Sequence, residues 1–262
     1  MIVSHAHDVN PNDYCFDTGL TFARDFGEKL LHEFVARPHQ FERRIKYDRG
    51  DDYKAFARRI GVPKARELNR RKLQFERFNP GQTPIRFLQW WMPEALEAQF
   101  YGQVPRWVFG LSPGEPTSTL QSGEGGDYLP THMGHQRVSS LFMLLQGQGQ
   151  ETRWYRQTND FEVIDPYRIP DHERLEHVVT AVMQPFRWYA FNHKAWHSVH
   201  QFARSGVRLN MGLDFDHLPM RELVAAVRGV ARIDLFEELK HVREPYGQGR
   251  ERLVEFARTR SG

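Results

Sequence analysis

Two histidines, a glycine and an arginine carry the chemistry this chain could do. His132 stands in Tyr128-Leu129-Pro130-Thr131-His132 with Gly134 two residues beyond it, and His197 follows 65 residues later in Ala195-Trp196-His197-Ser198-Val199. Two imidazoles and one carboxylate form a facial ligand set for Fe(II) and leave the opposite face of the ion open. Here a glycine stands where that carboxylate would follow the first histidine. Eleven residues past His197 comes Arg208, in Gly206-Val207-Arg208-Leu209-Asn210. A planar guanidinium suits a carboxylate held by two parallel hydrogen bonds.

The order histidine, strand, histidine, arginine resembles the Fe(II)/2-oxoglutarate-dependent oxygenase superfamily over roughly residues 120–216. The matching elements are the histidine of the His-x-(Asp/Glu) entry, the distal His-Ser-Val and the arginine about eleven residues beyond it. The resemblance implies a mainly β fold with flanking helices around a double-stranded β-helix core. It also implies iron held by His132 and His197, and Arg208 paired with the 5-carboxylate of 2-oxoglutarate. Gly134 is the departure from the pattern. A small residue there resembles the halogenase branch, in which chloride takes the vacated position beside iron. The resemblance then implies Fe(II), 2-oxoglutarate, O2 and chloride as cofactors, and Gly134 as the residue that decides the reaction. The reaction would be decarboxylation of 2-oxoglutarate by oxygen, coupled to chlorination of an unactivated C–H. A carboxylate at 134 would obstruct the halide and repel it by like charge.

Other readings of the same residues stay open. His135 would become a third nitrogen ligand if the strand bulges there, and an acid from elsewhere, Asp127 or Glu151, would complete a hydroxylase site. A β-helix without iron that reads an anionic ligand is a further alternative. Gly126 and His132 also imitate the start of a cupin motif, but the second histidine at 134 and the glutamate after it are absent. His193, His200 and His172 lie in or near the region, and a lone histidine is more often a core or surface residue than a ligand. His197 is preferred for its Ser-Val context and its offset to Arg208. His135, Arg137, Arg153, Trp154 and Asn210 are the candidates for contacting substrate or steadying the imidazoles. Trp154 and Trp196 also read as ordinary core aromatics.

Strands must position these groups. Arg137–Leu145, Glu151–Arg156, Val178–Pro185, Trp188–Asn192, Ser198–Phe202 and Val207–Phe215 are β-friendly runs separated by glycine turns, as an antiparallel sandwich or barrel requires. Thr158–Glu176 reads as an inserted loop. Residues 18–37 carry apolar residues at helical spacing, with Thr18 as N-cap and Pro38 beyond the end, and a short helix is expected near Glu94–Phe100. Three more helical segments are expected at Met220–Val230, Asp234–Arg243 and Gly249–Arg260. The chain therefore reads as a single domain: residues 1–118 supply N-terminal helices and supporting strands, 119–217 the β-helix core, and 218–262 the C-terminal helices.

Composition supports a packed fold: 40% of the 262 residues are hydrophobic and 13% aromatic. The single cysteine, Cys15, excludes an internal disulfide. No run approaches the roughly 18 consecutive apolar residues of a membrane span. The N-terminus has no charged stretch followed by an apolar core, so a cytoplasmic protein is expected. The net charge is +3, yet residues 43–77 hold thirteen Lys or Arg against five acids. Such a stripe either steers an anion or is a solvated face. The expected partner is a free small polar molecule, anionic, such as a nucleotide or amino acid. No membrane partner and no nucleic acid is expected, and the sequence leaves the oligomeric state open.

Overall fold

In residues 208–215 the large apolar side chains Leu209, Met211, Leu213 and Phe215 recur at every second position, which gives that strand two different faces, whereas the run Leu141–Leu145 is apolar on both. The structure, a computed structural model, describes residues 1–44, 58–112, 116–134, 137–147, 149–164, 169–202 and 207–230. Its strands are β1 (Ile2–Ser4), β2 (Cys15–Asp17), β3 (Glu42–Arg44), β4 (Arg86–Trp91), β5 (Thr117–Glu124), β6 (Leu129–His132), β7 (Ser139–Gln146), β8 (Glu151–Gln157), β9 (Leu175–Val182), β10 (Trp188–Asn192), β11 (Trp196–His200) and β12 (Arg208–Phe215). They form two antiparallel sheets, ordered β1-β9-β8-β11-β6 and β2-β10-β7-β12-β5-β4-β3. Strands β5 to β12 distribute as β10-β7-β12-β5 facing β9-β8-β11-β6. That is the double-stranded β-helix anticipated from the sequence. Strands from the first 44 residues and β4 extend the sheets beyond this core.

The outer face of the larger sheet carries Leu120, Leu141, Met143, Met211 and Leu213. Against it pack Phe26 and Leu30 of α1 (Arg24–Ala36), Phe100 of α3 (Glu94–Tyr101), Trp107 and Val108 of α4 (Arg106–Phe109), and Leu223 and Val227 of α5 (Met220–Val230). Each fully buried Leu or Phe in this layer contributes about 1.5–3 kcal/mol. Between the sheets lie Phe142, Leu144, Trp154, Val179, Ala181, Tyr189 and Phe191. Among the described residues no helix is long and apolar enough to cross a membrane.

Several elements differ from expectation. The first helix begins at Arg24 rather than Thr18, after Ala23 in a left-handed conformation with φ 53°. The Thr18 hydroxyl instead donates to the Trp188 carbonyl and accepts from Leu20 N, which ties a turn to β10. The strand expected at Ser198–Phe202 runs Trp196–His200, because Gln201 has φ 61° and ends the extended run. The strand expected at Val178–Pro185 starts earlier, at Leu175, where pairing with Gln157 holds it. Part of the basic stripe forms an unanticipated helix, α2 (Val62–Phe78). Its charges are largely structural: Arg70 bonds Glu67 and Asp171, and Arg71 bonds Glu67 and the carbonyls of Glu162 and Ile169. The helices expected at Asp234–Arg243 and Gly249–Arg260 lie outside the described residues.

Candidate metal centre

β6 and β11 run antiparallel, with His132 paired to His197. Paired residues put their side chains on one face, and the two imidazole centroids lie 4.3 Å apart. His132 Nδ1 is 2.7 Å from the Pro130 carbonyl oxygen, and His197 Nδ1 is 2.9 Å from that of Ala195. A carbonyl only accepts, so both Nδ1 atoms carry the proton and both Nε2 atoms present a lone pair. Burial holds the His197 pKa well below its ordinary value, and the neighbouring His132 adds to the effect. The ring is therefore neutral at pH 7, as metal ligation requires. The inner face of β11 also brings His197 against Phe191 and Trp154, at centroid distances of 5.0 and 6.4 Å.

Arg208, the first residue of β12, is 6% exposed. Its Nη1 donates to Gln150 Oε1 at 3.0 Å, and its guanidinium lies 5.5 Å over the Phe142 ring. No carboxylate pairs with it among the described residues. Burial alone pulls its pKa down to about 10, so it stays charged at neutral pH. Its charge reaches His197, where it helps depress the imidazole pKa. A buried cation without a counter-ion is costly. Here that cation shares the inter-sheet space with the imidazole pair, linked to it through Phe142 and Phe191.

Gly134 is closed off rather than open. A Cβ built there would lie 2.7 Å from His193 Cβ and 2.9 Å from the Arg137 carbonyl oxygen. Gly134 N also donates to the His193 carbonyl at 2.6 Å. The turn after β10 thus approaches the backbone too closely for any side chain. The two other acids considered for the metal are engaged elsewhere. Asp127 Oδ2 accepts from Thr83 N, and Glu151 Oε2 accepts from Arg153, which lowers its pKa. Among the described residues no group of three or more His, Cys, Asp or Glu is placed to hold a metal. What the described residues bring together at this point is the imidazole pair of His132 and His197.

The remaining candidates divide. Trp154 lies in the core beside His197, with Nε1 3.4 Å from the Asn192 carbonyl oxygen. Asn210 sits two residues past Arg208 on the same inner face. Arg137 pairs with Asp214 at 3.0 Å, next to the buried His193. Arg153 is one residue out of phase with Trp154, on the outer face with Ser198, where it bonds Glu151. His200 is on that outer face too, 2.7 Å from Ser198 Oγ. His172 belongs to the segment tied to α2, its ring 5.6 Å from Phe78. His135 lies outside the described residues. Sequence reasoning missed Gln150 and Phe142, which hold the guanidinium; His193, weighed there only as a rival to His197, has its Nε2 2.8 Å from Ser140 Oγ and its Nδ1 buried without a partner. The only signal for Phe142 was its place in the continuous apolar run Leu141–Leu145.

No protein-family model matches the chain, and no curated protein matches it. Similar solved structures include Escherichia coli ycfD, at 13% identity and TM-score 0.30, over 66% of this chain and 47% of that one. A second structure, E. coli ribosomal oxygenase YcfD, matches at 14% identity and TM-score 0.30, over 66% of this chain and 46% of its own. A Pseudomonas putida prolyl-4-hydroxylase matches at 13% identity and TM-score 0.29, over 72% of this chain and 98% of its own. The chain spans about half the length of the first two.

Proposed function

We propose that the chain is an Fe(II)/2-oxoglutarate-dependent oxygenase whose iron centre has two protein ligands, His132 and His197. The observation that carries this reading is Arg208: a buried guanidinium with no carboxylate partner among the described residues, lying over Phe142, which meets Phe191, which in turn packs against His197. Fe(II) and 2-oxoglutarate, when bound with oxygen, supply oxidation of a substrate C–H bond with loss of CO2 from the cosubstrate. The chain's own residues do the positioning. The Pro130 and Ala195 carbonyls fix the tautomers and orient both rings. Gln150 holds one edge of the Arg208 guanidinium and Phe142 lies against its plane, which leaves its other donors for a carboxylate. Phe142, Phe191 and Trp154 keep bulk water from the space between.

His132 and His197 would hold the iron without a carboxylate from position 134. Bound Fe(II) and 2-oxoglutarate would supply hydroxylation of the substrate C–H bond, or, with a halide present, the halogenation that the His-x-Gly pattern suggests. The packing against His193 supplies a reason for Gly134 that needs no halide, so hydroxylation is the reading we favour. The test is oxygen-dependent conversion of 2-oxoglutarate to succinate by the full chain with Fe(II), measured with and without chloride. Succinate formation that needs Fe(II) but not chloride supports the favoured reading. Succinate formation only with chloride transfers the assignment to a halogenase, and none in either condition removes the oxygenase assignment.

A further inference from the structure

Three amide side chains to which the proposed chemistry gives no part stand side by side. Gln89 on β4 is in register with Gln121 on β5, and Gln121 with Asn210 on β12. Registered residues on neighbouring strands share a face, with Cβ atoms about 4.5–5.5 Å apart. It is the same face that carries Arg208, two residues before Asn210. All three amides are buried, yet Gln121 Nε2 has no hydrogen-bond partner. A primary amide shut away from water without an acceptor is costly. Its presence points to an acceptor that arrives with a ligand.

A second observation points the same way. Phe87 and Trp91 flank Gln89 at alternate positions of β4, and they remain 37% and 44% exposed. The row therefore runs from the buried neighbourhood of Arg208 out to an aromatic edge that meets solvent. Large exposed aromatics beside a buried polar row are the usual composition of a ligand shelf.

Charge narrows the class of ligand. Arg137 is matched by Asp214, Arg153 by Glu151 and Arg156 by Glu176, while Arg208 is committed to the cosubstrate. The amides themselves are neutral and offer both N–H and C=O. Their complement is a neutral group that also carries both, namely a carboxamide or peptide amide. Such a group is planar, which suits the aromatic edge.

We infer that the face of β4, β5 and β12 is the substrate shelf, and that Gln89, Gln121 and Asn210 select an amide-bearing substrate. This inference rests on the oxygenase reading and sets aside the anionic substrate expected from the basic stripe. The three residues are specificity determinants, which orient the substrate and move no proton.

The experiment uses the full chain, metal-free and loaded with Zn(II) and 2-oxoglutarate. N-acetylalanine methylamide is the probe, acetate is the control, and the side-chain NH2 signals of Gln121 are followed by NMR. The diamide is expected to shift the Gln121 signals and acetate is not. Gln121→Leu should weaken diamide binding about tenfold or more, while 2-oxoglutarate affinity stays within about twofold. If Gln121→Leu does not fold, Gln89→Ala, at the end of the row beside Phe87 and Trp91, is expected to give the same weakening. The inference is overturned if the diamide leaves Gln121 unmoved, if acetate moves it equally, or if the variants bind the diamide like the wild type. It is also overturned if Gln121→Leu loses 2-oxoglutarate binding instead. Failure of the wild type to bind 2-oxoglutarate removes the oxygenase reading alone, because the metal-free titration still decides the shelf.

Discussion

His132 and His197 are cross-strand partners whose ring centroids lie 4.3 Å apart, and each donates its Nδ1 proton to the carbonyl two residues before it. The backbone carbonyls of Pro130 and Ala195 thus set both tautomers. His132→Ala and His197→Ala should each lower Fe(II) affinity by about 100-fold or more, read by equilibrium dialysis under anaerobic conditions. His200→Ala, on the outer face, should leave that affinity unchanged. Equal losses from all three would mean that the pair is not the centre.

Arg208 gives a prediction of opposite signs. Arg208→Met removes a buried cation that no carboxylate among the described residues offsets, so the cosubstrate-free protein should gain about 1–3 kcal/mol in urea denaturation. The same variant should lose the stabilisation that added 2-oxoglutarate gives the wild type. A variant both less stable and still stabilised by 2-oxoglutarate would contradict the role given to this residue.

Gly134→Ala places a methyl group 2.7 Å from His193 Cβ. The turn after β10 must then move, at a cost of about 1–3 kcal/mol in stability. Gly134→Asp should cost at least as much and should not restore a three-ligand centre. Tighter Fe(II) binding by Gly134→Asp with unchanged stability would show that the position is open.

Burial pushes the His200 pKa down to about 4, with Arg153 adding to it, and burial likewise pushes His177 to about 4. Below the unfolded value of about 6.5 the unfolded chain binds protons that the native state refuses. The stability from these neutral rings is therefore complete above pH 6.5 and falls as the pH drops toward 4. Glu67, held near 2 by Arg70, loses its contribution only below about 4.5. Urea midpoints measured between pH 7.5 and 4.5 should decline, and His200→Asn should flatten the decline. A flat wild-type profile over that range would refute the assignment.

The imidazole pair and Arg208 were legible because each lies on a strand whose register is set locally, and strand order then puts them on the inner faces of the two sheets. The face of a residue was legible only by counting alternation. That count places Trp154 inside and, one residue away, Arg153 outside with Glu151. Gly134 read as a hole because the approach of His193 is a tertiary contact between segments far apart in the chain. Helix α2 was hidden by its arginines, whose partners Glu162, Ile169 and Asp171 lie about a hundred residues on. The amide row was unreadable for a similar reason: glutamine is mostly a surface residue, and only strand register aligns Gln89, Gln121 and Asn210.

The most direct measurement is an anaerobic visible titration of the Fe(II)-loaded protein with 2-oxoglutarate, run on the wild type and on Arg208→Met. A weak charge-transfer band should grow and saturate in the wild type. In the variant it should need about 100-fold more 2-oxoglutarate. No band in the wild type, or the same midpoint in both proteins, would contradict the assignment of His132, His197 and Arg208 to one iron and 2-oxoglutarate site.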